Sequence, residues 1–207
     1  YKKKIIRHLD SIDKSAKAIN AVNTLLYRNN KIRGYNTDII GFAKGLIDKK
    51  WNKSRPVIIF GAGGAAEAIV YFLKSENIKN ITIINRTKNN AAKIIRRYKN
   101  IGFNYKVCDS INEAGLIINT TSLGMIGYPD LKVKLNKVNK EAIIYDIVYN
   151  PINTNLIKNA VKHNLKTITG LEMFIEQARA SFYIWFNIQP KINNKLIVSL
   201  KKKISET

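Results

Sequence analysis

The sequence predicts an α/β fold, a doubly wound parallel sheet preceded by a shorter α/β piece. Three observations predict it. Short apolar runs alternate with helical stretches from Pro56 to Phe186. Those runs are apolar at nearly every position, as strands buried on both faces are. The first of them, Val57 to Phe60, leads into a glycine-rich turn and then a helix.

Taken in order, residues 5–18 carry Ile5, Ile6, Leu9, Ile12 and Ala16 at helical spacing, which predicts one helix. Ala21 to Tyr27 reads as a strand, Asn29-Asn30 as a turn, and Lys31 to Gly34 as the returning strand. Thr37-Asp38 opens a helix through Ile39, Ile40, Phe42, Ala43 and Leu46, with Asp38 in its first turn. From Pro56 the rhythm changes. Val57 to Phe60 is a strand, Ala65 to Lys74 a helix, Ile81 to Ile84 a second strand and Asn90 to Tyr98 a third helix. Further apolar runs are Tyr105 to Cys108, Leu116 to Ile118 and Ile143 to Ile147, with Lys166 to Thr169 a weaker strand. Gly170 precedes a long helix, Leu171 to Phe186, and a last short helix ends in Lys201-Lys202-Lys203. Residues 50–187 thus form a nearly complete doubly wound domain. Residues 1–49 are too few to fold well alone, an asymmetry that predicts further chain ahead of Tyr1.

Composition narrows the function classes. The chain has 207 residues, of which 45% are apolar and 24% charged, and these values argue against disorder. One cysteine, Cys108, excludes an intrachain disulfide. With only His8 and His163 beside it, no zinc site of the usual kind is expected. No apolar run approaches the roughly 20 residues of a membrane span, so no membrane partner is expected and the default compartment is the cytoplasm. The net charge of +22 would suit a nucleic-acid binder. The excess is mostly Lys, however, it accompanies abundant Ile and Asn, and it is spread along the chain, as AT-rich codons would produce. No recognition motif accompanies it, so no nucleic-acid partner is expected.

The run Gly61-Ala62-Gly63-Gly64-Ala65 follows a strand and opens a helix. The first glycine permits a tight turn, and the second lets backbone approach a pyrophosphate. The N–H groups of the helix N-terminus then meet the anion. Strand, turn, helix and second strand fall within about 30 residues, the context this motif requires. This is the pattern of a Rossmann-like dinucleotide site. The end of the second strand selects the nucleotide. An NAD site places a carboxylate there for the ribose hydroxyls. Here the residues are Asn85-Arg86-Thr87. Arg86 can pair with a 2′-phosphate and Thr87 can add a hydroxyl donor, so the expected cofactor is NADP.

Seven separated motifs, in order, resemble the shikimate dehydrogenase family. They are Ala21-Val22-Asn23-Thr24, Gly34-Tyr35-Asn36-Thr37-Asp38, the glycine turn, and Asn85-Arg86-Thr87. Asn119-Thr120-Thr121-Ser122-Leu123-Gly124-Met125 is similar to the family's N-A-T-S-x-G-M. Asp146 to Pro151, with Thr154 and Leu156, is similar to D-x-x-Y-x-P-x-x-T-x-L. Gly170-Leu171-Glu172-Met173 with Gln177-Ala178 resembles the helix that closes the site.

The resemblance implies a Rossmann-like NADP domain at residues 50–187. It also implies a partial α/β substrate-binding domain at residues 1–49, with residues 188–207 a C-terminal helix packing back towards it. The family carries a catalytic lysine in N-V-T-x-P-x-K, about twenty residues before the asparagine of A-V-N-T, and Lys2 stands at that spacing from Asn23. A run of three lysines near a terminus otherwise reads as solvated charge, and Lys3 and Lys4 keep that reading. The chain then begins just inside this motif, with the family's S-x-S segment not found in it. The implied reaction is reversible reduction of 3-dehydroshikimate to shikimate with NADPH, on the route to chorismate. Lys2 and Asp38 are the implied catalytic pair, and Asn23, Asp38, Tyr149 and Gln177 bind the substrate. Ile147 and Gly170 form the cofactor wall. Glu67 occupies a place usually basic in the family. Asn90 stands where a second basic residue often grips the 2′-phosphate, and Lys88 is its substitute. The alternatives are a quinate/shikimate dehydrogenase using NAD or NADP, or a decayed enzyme or basic interaction module on the same fold. A homodimer is admitted.

Overall fold

The computed structural model describes residues 2–47, 49–104, 106 and 109–206. Two sheets organise it. The smaller is built on a hairpin of β2 (Thr24–Arg28) and β3 (Lys31–Tyr35), antiparallel throughout. Asn29 and Asn30 make the turn with φ of 52° and 55°. Two left-handed residues suit the twist of a hairpin, and asparagine tolerates that region. The strand itself starts at Thr24 rather than Ala21.

The single helix expected over residues 5–18 does not form. A short 3-10 turn covers Lys4–His8, Leu9 is extended, and β1 (Ser11–Ile12) joins β3 in parallel. Only then does α1 (Lys14–Ile19) begin. Two acids decide this. The Asp13 carboxylate accepts from the Ser15 N–H at 3.0 Å and caps the new helix. The N–H groups of Asp10 and Asp13 are engaged by the Ile32 and Gly34 carbonyls of β3, at 3.0 and 2.8 Å. Sheet pairing takes the donors that a continuous helix would have used.

The larger sheet has six parallel strands. In spatial order these are β6 (Ile101–Asn104), β5 (Ile81–Ile84), β4 (Val57–Phe60), β7 (Leu116–Asn119), β8 (Ile143–Asp146) and β9 (Lys166–Ile168). The chain winds outward from β4 to β6, then returns to the other side of β4 with β7. That reversal is where ligands settle in open parallel sheets, at the carboxyl ends of the strands. Successive side chains alternate between faces. Val57, Ile59, Leu116, Ile118, Ile143 and Tyr145 enter one buried cluster, together with α3 (Gly64–Ser75) and α4 (Lys88–Arg97). Ile58, Phe60, Ile117 and Ile144 enter another, with α5 (Asn155–Lys162) and the loop carrying Val133, Leu135 and Val138. Both faces are covered, which explains the unbroken apolar runs. The run read at Tyr105 to Cys108 lies, apart from Lys106, outside the described residues, and the edge strand is formed by 101–104.

The two sheets are joined through α2 (Asp38–Ile47) and α6 (Gly170–Phe186), which pack on each other. Gly41 makes the close approach possible, since a Cβ there would stand 2.6 Å from the Met173 carbonyl and 2.9 Å from Gln177. The last helix, α7 (Asn194–Ser205), buries none of its residues. No described helix is long and apolar enough to cross a membrane.

Candidate active site

Phe60 ends β4 and Gly61 turns the chain with φ 103°, a conformation that favours glycine. Its N–H donates to the Ile84 carbonyl at 2.8 Å, which fixes the turn to β5. Helix α3 then starts at Gly64, and its N-cap, Gly63, has no side chain to occupy the leading N–H groups. A Cβ at Gly63 or Gly64 would meet no protein atom within 4 Å. The space above the turn is therefore open, at a helix N-terminus, at the point where strand order reverses. These features fit a dinucleotide pyrophosphate.

Asn85 and Arg86 line a cavity of about 1010 Å³ beside this turn, together with Phe60, Ile84, Thr121 and Tyr128. Asn85 shapes its loop by donating to the Thr87 carbonyl at 2.7 Å. The one acid lining this cavity among the described residues is Asp130, which accepts from Asn155 at 2.6 Å. Thr87, Lys88 and Asn90 are exposed around the start of α4 and do not line the cavity. Lys106 and Lys132 do line it, and neither was singled out by the sequence, where one lysine among many carries no signal.

A second cavity, of about 340 Å³, lies between the two sheets. It gathers Lys2, Asn23, Asp38, Tyr149 and Gln177, with Ala65, Ile147 and Gly170 from the nucleotide side. Asp38 is buried at the start of α2, where Asn36 accepts from its N–H at 3.0 Å. Both its carboxylate oxygens are used. Oδ2 faces the Lys2 ammonium at 2.5 Å and Oδ1 accepts from Asn23 Nδ2 at 2.8 Å. Asn23 is held in turn, its Oδ1 accepting from the Thr37 N–H at 2.9 Å and from Thr24 Oγ1 at 3.0 Å. Thr37 Oγ1 reaches Gln177 Oε1 at 3.3 Å, and Ser181 completes a buried hydroxyl group with Thr24 at 2.8 Å. Residues from 2 to 181 thus converge on one carboxylate.

The wall of this cavity also includes Met173 and Phe174. Met173 belongs to the motif expected to close the site, whereas Phe174 was not singled out; its ring stacks on Tyr149 with centroids 4.8 Å apart. The available signal was helical spacing, since 170, 173, 174, 177 and 181 share one face of α6. Lys3 also departs from expectation. It is not simply solvated but donates to Glu67 at 3.2 Å. Asp146, conspicuous in its motif, lines neither of these cavities. It is wholly buried and accepts from Thr154 Oγ1 at 2.6 Å, Asn119 at 2.9 Å and the Val148 N–H at 3.1 Å. Burial pushes its carboxyl above the usual range, and these three donors oppose that shift. Thr154 and Asp146 therefore hold the β8–α5 connection together.

Comparison with known proteins agrees with this arrangement. Residues 44–172 match the model of the shikimate/quinate 5-dehydrogenase family, and residues 170–193 that of the shikimate 5′-dehydrogenase C-terminal domain. The NADP(+) shikimate dehydrogenase of Methanococcus maripaludis is 39% identical over 203 residues, 93% of this chain and 72% of the relative. Shikimate 5-dehydrogenase from Thermus thermophilus, solved with NADP(H) and shikimate, superposes with a TM-score of 0.84. It is 26% identical, over 98% of this chain and 76% of that one. Quinate dehydrogenase from Corynebacterium glutamicum, solved with NAD, gives 0.83 at 25% identity, over 100% and 74%. With that likeness running across both sheets and the cleft between them, the chain belongs to the shikimate/quinate 5-dehydrogenase family.

Proposed function

We propose that the protein catalyses the NADP-dependent reversible reduction of 3-dehydroshikimate to shikimate, a step towards chorismate and the aromatic amino acids. The observation that carries this reading is the Lys2–Asp38–Asn23 constellation, which opens into the same cavity as Ala65, Ile147 and Gly170. The glycine turn with α3 would hold the cofactor pyrophosphate and Arg86 its 2′-phosphate, with Thr87 and Lys88 beside it. The chemistry NADPH supplies when bound is a hydride.

The remaining steps belong to the chain's own side chains. A ketone receiving hydride accumulates negative charge on its oxygen. The Lys2 ammonium stabilises that charge and delivers a proton to the same atom. Asp38 aims the ammonium through Oδ2 and is itself aimed by Asn23. Asn23, Asp38 and Gln177 offer hydrogen bonds to ring hydroxyls. Tyr149, stacked on Phe174, borders the opening and holds the ring towards Ile147 and Gly170. We read residues 1–49 as part of the substrate-binding domain, 50–187 as the NADP domain and 188–207 as its C-terminal helix. The same reading places the enzyme in the cytoplasm and admits a homodimer, which sedimentation would test.

In the full-length enzyme, Lys2→Ala lowers turnover by roughly 10²–10⁴-fold, the range for a lost general acid. NADPH affinity stays at its wild-type value. Turnover unaffected by Lys2→Ala, with loss on Lys4→Ala instead, would overturn the assignment.

A further inference from the structure

Glu67 carries a charge in a place that ordinarily excludes one. It lies in the first turn of α3, just past the glycine turn, and its side chain is only 6% exposed. A buried carboxylate is tolerated when it is paired, and here two cations from different elements meet it. Lys3 Nζ contacts Oε2 at 3.2 Å from the segment ahead of β1. The Arg97 guanidinium contacts Oε1 from the end of α4, and it also donates to the Ala18 carbonyl of α1 at 3.0 Å. One carboxylate therefore links the element at the nucleotide turn to the segment that bears the reactive ammonium.

We propose that Glu67 is a positioning residue, holding Lys2 in register with the cofactor cradle through its ion pair with Lys3. The proposal rests on the role given to Lys2 above. Lys2 and Lys3 are fastened in opposite directions. The Lys2 carbonyl accepts from the Val22 N–H at 2.9 Å, on the three-stranded side. The Lys3 ammonium reaches α3, on the six-stranded side. Adjacent Cα atoms are about 3.8 Å apart, so backbone fixed at both residues leaves the Lys2 stem a narrow range of origins. Ala65, two residues before Glu67, lines the same cavity as Lys2. The tether thus runs parallel to the reacting site and within one helical turn of it.

The test uses the full-length enzyme and three variants. Lys3→Met removes the ammonium and keeps most of the stem, and Glu67 retains Arg97, so the fold persists. It lowers kcat about tenfold, a loss that misplacement of a reacting group can produce, with KM for NADPH and the melting temperature unchanged. Lys3→Arg restores kcat. Arg97→Met, which leaves the Lys3 tether in place, lowers the melting temperature and leaves kcat near wild type. Wild-type kcat in Lys3→Met would overturn the proposal. So would an equal loss in Lys3→Met and Arg97→Met that follows melting temperature, since the cluster would then be structural only. Absence of NADPH-dependent turnover in the wild-type enzyme would overturn the assigned function instead, so the two failures are distinct.

Discussion

The two halves of the site are built by opposite means. On the nucleotide side the ligand-facing surface is backbone. One turn and the start of one helix supply it, within Gly61 to Ala65, and the glycines contribute by having no side chain. On the substrate side the surface is side chains, brought together from Lys2, Asn23, Asp38 and Gln177 by two helices and a hairpin. The first arrangement is local, so changing one residue changes one contact. The second is a network, in which Asp38 aims Lys2, Asn23 aims Asp38, and Thr37 aims Asn23. Substrate-side substitutions should therefore strike chemistry and spare nucleotide binding, and nucleotide-side ones should do the reverse.

The largest effect tests the network. Asp38→Asn keeps the shape of the side chain but puts a neutral group against the Lys2 ammonium and an amide against Asn23. Turnover should fall by about 10²-fold or more, within the range for lost acid–base positioning. Fluorescence titration should show unchanged NADPH affinity. A loss confined to NADPH binding would mean that the two halves are not separable in this way.

An intermediate effect tests the local half. Arg86 makes no hydrogen bond or ion pair with other described residues, and it lines the cavity beside the turn. A charge-assisted contact to phosphate contributes about 1.5–3 kcal/mol, roughly ten- to a hundredfold in affinity. The neutral Asn90 points to the lower half of that range. Arg86→Ala should weaken NADPH while leaving NADH nearly untouched, and the difference should shrink as salt rises. Equal losses for both cofactors would make Arg86 structural and transfer the preference to Lys88 or Lys106.

The smallest effect concerns the frame beneath both halves. Thr154 caps α5 by accepting from the Ile157 N–H and donates to the buried Asp146 carboxylate. Thr154→Val removes the cap and one of three donors to a buried acid. The expected cost is about 2 kcal/mol in urea unfolding, with NADPH affinity retained. An unchanged midpoint would show that the hydrogen bond to Asp146 contributes nothing net.

The same contrast governs what was legible in the sequence. Strand, glycine turn and helix are written in consecutive residues, and the absence of a carboxylate after Asn85 is a local fact. Asp38 at the start of its helix was likewise readable. The convergence of Lys2, Asn23 and Gln177 was not, because their separations reflect how α2, α6 and the hairpin pack. Only resemblance to relatives supplied it. Where pattern was used alone on the same half, it misled. Ile5, Ile6, Leu9, Ile12 and Ala16 have helical spacing, yet Asp10 and Asp13 divert the backbone into the edge of β3. Lys3 read as one more solvated lysine because its partner, Glu67, lies 64 residues away across the cleft.

The central claim is tested most directly by mixing the full-length enzyme with NADPH or NADH and following cofactor oxidation on adding 3-dehydroshikimate, with oxidation of shikimate and of quinate by NADP and NAD run alongside. The account predicts stoichiometric oxidation of NADPH by 3-dehydroshikimate, slower use of NADH, and little oxidation of quinate. NADH used as well as NADPH, or quinate oxidised as readily as shikimate, would contradict it.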